Sequence, residues 1–499
     1  MIQAYDDTIA AIATALHNIW GMLSYDPKSP MLFSSGLFWL LFIFFLPVYA
    51  LLKGSKRKMV LFVVAFSLYF YYKSSGLFFL MLIATSVVDW NLSKVIYNLK
   101  SRGWKLFVMW LSIAVSLSIL GYFKYANFFL WNWNQMVQGN FQPLDIILPV
   151  GISFYTFQSI SYVVDVYKGR IKPTRHWLDY LFFLSFFPAL VAGPIVRADY
   201  FLPQLEKNRP ASKDNIWGGL WLVIVGIIKK AVIADYIAQY NDLIFNSPEL
   251  YTGVQTLMGV LGYTMQIYCD FSGYSDMAIG LALIMGFKLG LNFDSPYQSK
   301  NLTEFWRRWH ISLSSWLRDY VYIPLGGNRK GVVRTYVNNF LTMLIGGLWH
   351  GAAWKFIFWG AMHGVGLAVH KACKPWLDMI PKNFAVTFVS WLVTFVYVSL
   401  LWVFFRAADF ADSVLIIRNI FVDFYWAQIP QFIEARPVWC VMMAVLIIAH
   451  FVPQTIADKI QTAFINVNWV VKLCVFLVAV QLVIEFMSEE VAPFIYFQF

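Results

Sequence analysis

The chain has 499 residues, of which 60% are hydrophobic, 19% aromatic and only 13% charged. Because a soluble globular chain carries about 25% charged residues, this composition excludes a soluble enzyme. The net charge is +11, but the basic residues lie in short clusters between apolar runs, as in the cytoplasmic loops of membrane proteins. We therefore predict an all-α polytopic membrane protein that contacts membrane lipids and binds no nucleic acid. Four cysteines without CxxC spacing predict neither a zinc site nor a disulfide framework.

The first third of the chain alternates apolar runs with basic clusters. Residues 3–24 are mildly amphipathic and net acidic, so we assign 1–30 as an extracytoplasmic N-terminal segment. Two crossings separate the basic cluster at 53–58 from the cluster at 94–105, which returns the chain to the cytoplasmic side. The predicted spans in this part of the chain are 32–52, 59–72, 76–90, 104–122 and 145–163.

Two segments in the middle of the chain interrupt this regular pattern. Residues 181–196 are apolar but contain Pro188, Gly193 and Pro194, which predicts a broken or re-entrant helix facing protein or water. Residues 252–287 are predicted to form a helix pair, broken around 269–275. Further spans are predicted near 215–236, 353–371, 384–405, 436–452 and 468–487. The total is about eleven crossings with one or two partial ones.

The stretch 300–334 is the most basic part of the chain. It holds seven Lys or Arg residues against Glu304 and Asp319, so we predict that it faces the cytoplasm or a funnel that opens there. Asn301 followed by Glu304 resembles a capping box, which predicts one helix from 302 to about 319. On that helix one face would carry Trp306, His310, Leu313 and Leu317.

His350 is the first candidate for chemistry, within Gly346–Ala353. An ionisable side chain among membrane spans is costly and is a functional candidate by default. Desolvation favours the neutral imidazole, which can accept a proton from a hydroxyl or thiol that attacks an acyl group. The alternative is a core histidine hydrogen-bonded between helices, and the local sequence does not decide between the two.

His310 is the second candidate and follows Arg307 and Arg308 closely. It could be a second catalytic group or bind an anionic part of a donor, such as a phosphate. It could equally be an interfacial residue of an aromatic anchor helix. Both interpretations stay open at this stage.

Asp270 and Asp276 lie in an otherwise apolar region, so each needs a partner or water. We expect a histidine, an arginine or a helix N-terminus, and a structural ion pair is as plausible as catalysis. His363 and His370 stand seven residues apart without a carboxylate or cysteine to complete a ligand set, so we predict no metal site. The chain also lacks a P-loop, a dinucleotide-binding fingerprint and a G-x-S-x-G elbow, which argues against ATPase, dehydrogenase and hydrolase readings.

Several longer stretches together resemble the membrane-bound O-acyltransferase family, in particular its bacterial alginate O-acetylation branch. They span about residues 30–370 in the order expected for that family. The stretches are LPVGISFYTFQ (148–158), FPALVAGPI (187–195), DFSGYSDMA (270–278), EFWRRWHISLS (304–314), RDYVYIPLGG (318–327) and LWHGA (348–352).

The resemblance implies a ring of tilted helices around a tunnel through the membrane. It implies a catalytic role for the position of His350 and a supporting role for that of His310. We expect the His350 ring to stand in a solvent-lined bore that is reachable from both sides of the membrane. The chain is then divided into a catalytic membrane core at 31–375 and C-terminal transmembrane helices of the same body at 376–499. The predicted substrate-binding residues are Arg307, Arg308, Trp349, Asp270 and Asp276.

The resemblance also implies an activity in the bacterial inner membrane. An acyl group, most simply acetyl, would pass from a cytoplasmic thioester, either acetyl-CoA or an acylated carrier protein, across the membrane. An extracytoplasmic O-acetyltransferase partner would then place it on a polysaccharide hydroxyl. No bound cofactor is expected, because the acyl donor is a substrate.

Three alternatives remain. The sister branch that transfers D-alanine from a carrier protein is a near relative. The sequence at 323–327, which follows the predicted helix containing His310, resembles the alginate branch more closely. A transporter or flippase could run a proton relay through Asp270, Asp276 and the histidines, but no internal repeat supports it. A scaffold that only docks the extracytoplasmic transferase is the third.

Overall fold

A computed structural model describes residues 14, 17, 18, 20–191 and 193–486 of the chain. Regular structure in these residues is entirely helical, which confirms the predicted fold class. The predicted amphipathic segment at 3–24 lies for the most part outside the described residues, and the division into 1–30, 31–375 and 376–499 stays a prediction.

Five helical stretches of the described residues are long and apolar enough to cross a membrane. A sixth is added if two helices that meet at 99° are taken as one broken span. Among the other described helices, Gly253–Ile284 and Trp354–Leu377 are long enough but do not combine that length with a sufficiently apolar composition. The rest are shorter than the roughly 20 residues that cross the hydrocarbon core, so the count of about eleven crossings stays a prediction. The five stretches are Lys56–Asn98, Arg102–Val137, Lys213–Asn246, Phe384–Arg406 and Trp469–Phe486, and the bent pair is Gln428–Ala435 with Pro437–Phe451.

The chain divides into two compact units, and the first comprises residues 1–123, 146–191 and 197–209. Aromatic rings in mutual contact, such as Phe38, Phe42 and Phe187, fill its core. The buried carboxylate of Asp89 accepts hydrogen bonds from Ser112 and Ser159. The helices of this unit are α1 (Gly36–Leu52), α2 (Lys56–Ser75), α3 (Phe79–Asn98), α4 (Arg102–Leu120), α6 (Ile152–Tyr167), α7 (Trp177–Ser185), α8 (Phe187–Leu190) and α9 (Ala198–Lys207).

The second unit comprises residues 124–145, 192–196 and 210–499. Wider π-helical turns occur in it at Ile228–Ala234 and Arg318–Tyr322, and a third, Gly121–Tyr125, runs from the end of the first unit into residues 124 and 125 of the second. The helices of this unit are α5 (Ala126–Val137), α10 (Lys213–Ile227), α11 (Asp235–Asn246), α12 (Gly253–Ile284), α13 (Leu302–Arg308), α14 (Ile311–Leu317), α15 (Val332–His350), α16 (Trp354–Leu377), α17 (Phe384–Arg406), α18 (Phe410–Asn419), α19 (Gln428–Ala435), α20 (Pro437–Phe451), α21 (Gln454–Asn466) and α22 (Trp469–Phe486).

The structure confirms one of the two predicted interruptions and corrects the other. Helix α7 stops at Ser185, α8 is one turn long and Val191 is no longer helical, as Pro188 and its neighbours predict. The predicted break around 269–275 is wrong, because α12 is continuous. Gly273 instead allows close packing of α12 on α10. A β-carbon at this position would stand 2.7 Å from the Gly226 carbonyl oxygen of α10, so only glycine lets the two backbones touch.

Candidate active site

His350 is the last residue of α15, and its side chain is enclosed by aromatic rings. Ring centroids of Trp349, Trp359 and Phe405 lie 5.0, 5.1 and 5.1 Å from the imidazole. The residue is 4% exposed. Helix α15 packs closely on α16, since a β-carbon on Gly347 would stand 2.3 Å from the Phe356 carbonyl oxygen. The backbones of α15 and α16 are therefore in direct contact beside the His350 ring.

His310 occupies a sharp turn between two short helices, so the predicted continuous helix from 302 to 319 is wrong. Helix α13 ends at Arg308 and α14 begins at Ile311, with His310 between them at φ 43° and ψ 56°. A left-handed backbone is uncommon for a residue with a side chain. The single face predicted for Trp306, His310, Leu313 and Leu317 is broken there. The N-terminal cap of α13 is confirmed, since the Asn301 side chain accepts a 2.9 Å bond from the Glu304 amide.

Asn292 holds this turn in place, and sequence reasoning missed it. Its Oδ1 accepts bonds from the Ser312 amide and hydroxyl, at 3.2 and 2.8 Å, and lies 3.1 Å from His310 Nδ1. Its amide nitrogen donates to Ser275. Because the Ser312 amide can only donate, the contacting Asn292 atom is the oxygen, and His310 Nδ1 must carry the proton. Asn292 belongs to no recognisable motif, so only the fold could reveal it.

The two predicted histidines belong to one continuous row of rings. Trp349 is their common neighbour, with centroids 6.2 Å from His310 and 5.0 Å from His350. On the far side of His350, Trp359 lies 4.6 Å from His363, and His363 lies 5.0 Å from Trp306. We call this the histidine row: His310, Trp349, His350, Trp359, His363 and Trp306.

His363 is a second residue whose place the sequence did not reveal. It is fully buried, and its Nδ1 accepts a 3.3 Å hydrogen bond from the Trp306 indole. His370, two turns further along α16, lies elsewhere, with Nδ1 3.2 Å from the Thr303 hydroxyl. The seven-residue spacing therefore places the two imidazoles against different neighbours.

A cavity of about 1230 Å³ begins where the row ends. Trp306 belongs to its lining, together with the buried side chains of Leu317, Thr342 and Met343. Its charged lining comprises six basic side chains, Lys300, Arg307, Arg318, Lys371, Lys374 and Lys382, against Glu304 and Asp378. We call it the basic cavity. His350 is not among its lining residues: ring contacts run from His350 to Trp359 and from Trp359 to Trp306, which lines the cavity. The bore predicted around His350 stays a prediction.

The predicted substrate-binding residues fall into three places. Arg307 lines the basic cavity. Arg308 instead pairs with Glu304 at 3.0 Å and donates to the Asp294 carbonyl oxygen, and Trp349 lies in the histidine row. Their assignment to substrate binding stays a prediction.

Asp270 and Asp276 form ion pairs, and their predicted partners were wrong. Lys230 Nζ lies 2.5 Å from Asp270 and 2.7 Å from Asp235, while Lys229 Nζ lies 2.8 Å from Asp276. The lysines come from the π-helical turn that follows α10, whose residues face α12. Neither aspartate lines the basic cavity. This geometry favours the structural ion-pair interpretation over substrate binding.

Comparison with known proteins decides what kind of protein carries this site. The sequence profile of the membrane-bound O-acyltransferase family matches residues 171–408, which include both candidate histidines. A probable alginate O-acetylase of Pseudomonas putida is 39% identical over 94% of this chain and 100% of its own length. The chain belongs to the membrane-bound O-acyltransferase family. It is therefore an O-acyltransferase and a multi-pass membrane protein.

Other relatives of this family member act on different acceptors. A peptidoglycan O-acetyltransferase of Helicobacter pylori is 39% identical over 76% of this chain and 78% of its own length. A teichoic acid D-alanyltransferase of Bacillus subtilis is 31% identical over 57% of this chain and 74% of its own length. Membership of the family thus establishes the type of reaction, which is acyl transfer. It does not identify the acyl group or the acceptor of this enzyme.

Proposed function

We propose that this enzyme transfers an acetyl group from a cytoplasmic thioester across the bacterial inner membrane, for O-acetylation of an extracytoplasmic polysaccharide. The observation that carries the proposal is the enclosure of His350 within the histidine row, whose last ring, Trp306, lines the basic cavity. The donor is acetyl-CoA or an acetylated carrier protein. An extracytoplasmic O-acetyltransferase partner completes the transfer to the glycan.

The proposed chemistry requires one proton acceptor next to the thioester carbonyl. His350 takes the proton of an attacking hydroxyl or thiol while its oxygen or sulfur bonds to the acyl carbon. The carbon–sulfur bond breaks, and the departing thiolate takes that proton back from the imidazolium. Burial among rings supports this role because it favours a neutral imidazole, the form that can accept a proton.

The basic cavity is the proposed site for the donor's anionic portion. Phosphates of a coenzyme or of a carrier's phosphopantetheine are attracted by its excess of basic side chains. Its volume of about 1230 Å³ exceeds the roughly 300–1,000 Å³ typical of pockets that enclose drug-sized ligands. The net positive charge of 300–334 also supports a cytoplasmic opening and an extracytoplasmic N-terminus.

The acyl end of the donor must pass from the cavity to His350, and Trp306 stands between them. It lines the cavity on one side and bonds to His363 on the other. Rotation of this indole, with Trp359 behind it, would open a route to the catalytic imidazole. Trp306 is therefore the proposed partition between donor binding and chemistry.

The direct test is His350→Ala, with His176→Ala as the matched control because His176 is exposed and lies in the other unit. Mass analysis of extracellular glycans should show loss of O-acetyl groups in His350→Ala cells and wild-type acetylation in His176→Ala cells. Membrane levels of both variants are measured alongside. Wild-type acetylation in a well-expressed His350→Ala strain would refute the catalytic assignment.

The same mass analysis separates acetyl transfer from D-alanyl transfer. The two esters add different masses to the glycan, so the group lost in His350→Ala identifies the acyl group. Loss of a D-alanyl ester would replace the acetyl proposal. Flux of an unmodified substrate with no ester product would instead support the transporter alternative.

A further inference from the structure

The helix that carries His350 ends in an unusual way. Helix α15 stops at His350, and Gly351 is extended at φ −165°. The last carbonyl groups of a helix have no amide donor further along the chain. In a membrane body, leaving such groups without hydrogen bonds is costly. Side chains from another helical segment satisfy three of them here.

Those side chains are Lys124 and Tyr125, in the second unit. Lys124 Nζ donates to the carbonyl oxygens of Trp349 and His350, at 2.7 and 2.9 Å, and the Tyr125 hydroxyl donates to that of Leu348 at 2.7 Å. Both residues belong to the π-helical turn Gly121–Tyr125. Such turns are rare and are often found at functional sites.

The ammonium group suits this place electrostatically. A helix C-terminus carries a partial negative charge, which a nearby cation stabilises. Lys124 Nζ also lies 5.9 Å from the Trp349 ring centroid, within the range of a cation–π contact. One cation thus contacts the backbone of His350 and the ring that lies between His350 and His310.

We propose that Lys124 and Tyr125 are positioning residues for His350. Their three hydrogen bonds fix the backbone of 348–350 and so the direction in which the imidazole points among its rings. The inference rests on the proposed function, because it requires His350 to act on the acyl group. Neither residue has to touch the substrate.

A positioning role and a purely structural cap make different predictions for kinetics. A displacement of about 1 Å can cost about 100-fold in rate even when binding is unchanged. Loss of positioning therefore lowers kcat with little change in KM. A purely structural cap would lower the folded fraction and leave the properties of the remaining enzyme as in wild type.

The test uses inverted membrane vesicles from cells that also hold the partner and the glycan, supplied with labelled acetyl-CoA or acetylated carrier. Rates per folded enzyme are compared for Lys124→Met, Lys124→Arg and Tyr125→Phe. Tyr122→Phe is the matched control, because Tyr122 lies in the same turn and is 55% exposed. Thermal unfolding in detergent reports stability independently of activity.

We expect kcat to fall about 10- to 100-fold in Lys124→Met and less in Tyr125→Phe, with KM within about twofold. Lys124→Arg retains charge and donors and should recover most of the rate, and Tyr122→Phe should match wild type. Wild-type kcat in both Lys124→Met and Tyr125→Phe would overturn the inference while leaving the proposed function intact. A loss that follows only the folded fraction, without rescue by arginine, would also overturn it. Wild-type vesicles that transfer no acyl group would defeat the proposed function, and this inference with it.

Discussion

The histidine row and the basic cavity meet at Trp306 but are built in opposite ways. The row is aromatic and is buried except at Trp306. Its hydrogen bonds, such as those between Asn292 and His310 and between Trp306 and His363, each fix one ring. The cavity is charged, and exposed lysines such as Lys371 and Lys374 stand around it. Chemistry needs a fixed imidazole in a dry environment, whereas capture of an anion tolerates mobile side chains. The comparison predicts that changes in the row alter kcat and changes in the cavity alter KM.

The largest effect is expected from Asn292→Ala, next to His310 at the end of the row. Removing its amide leaves the Ser312 amide and the Ser275 hydroxyl without this partner and frees the His310 ring. We expect kcat to fall about 100-fold and the free energy of unfolding to fall by about 1–3 kcal/mol. Asn91→Ala is the control, since the Asn91 side chain is exposed and its amide donates to the Val87 carbonyl oxygen of its own helix. An unchanged kcat in Asn292→Ala would show that the position of His310 does not depend on Asn292.

A smaller effect is expected at the cavity from Lys371→Gln with Lys382→Gln. At about 0.5 kcal/mol for each charge, KM for the donor should rise about fivefold while kcat stays unchanged. Added salt should weaken donor binding to wild type more than to the double variant. Lys100→Gln with Lys105→Gln removes the same charge in the other unit. An equal rise in KM in that control would assign the effect to net charge instead of to the cavity.

The proposed role of Trp306 as a partition can be tested by measuring how fast a thiol reagent reaches position 350. With the four native cysteines replaced by alanine, His350→Cys should react slowly with a cationic thiol reagent because rings enclose the position. Adding Trp306→Ala should make labelling several-fold faster. Trp469→Ala, at a residue 67% exposed, should leave the labelling rate unchanged. Equal labelling rates with and without Trp306 would place the route to His350 elsewhere.

The smallest effect is expected from the ion pair of Lys229 and Asp276. Lys229→Gln with Asp276→Asn removes both charges together, so no unpaired charge is left. KM for the donor should stay within about twofold of wild type, as measured in the vesicle assay. A tenfold rise would restore the prediction that Asp276 binds substrate.

Sequence alone identified the isolated polar residues, because an imidazole or carboxylate among apolar spans is conspicuous. It also predicted the interruption after Ser185 and the cap at Asn301, which depend on neighbouring residues. It failed where distant residues decide the local structure. The left-handed turn at His310 depends on Asn292, and the place of His363 depends on Trp306. The break predicted around 269–275 was wrong, because Gly273 in that stretch lets two helices touch and does not end one.

The lysine–aspartate contacts between the π-helical turn after α10 and helix α12 have a consequence for biosynthesis. Lys229, Asp270 and Asp276 would each enter lipid as a lone charge if their helices inserted separately, at about 2.5–3.5 kcal/mol for each charge on insertion scales. Lys230 would keep Asp235 of its own segment as a partner. Released as a hairpin, the two segments neutralise one another before they meet the hydrocarbon. We therefore expect the insertion machinery to retain the 213–246 segment until 253–284 has been synthesised, so that both leave it as one unit.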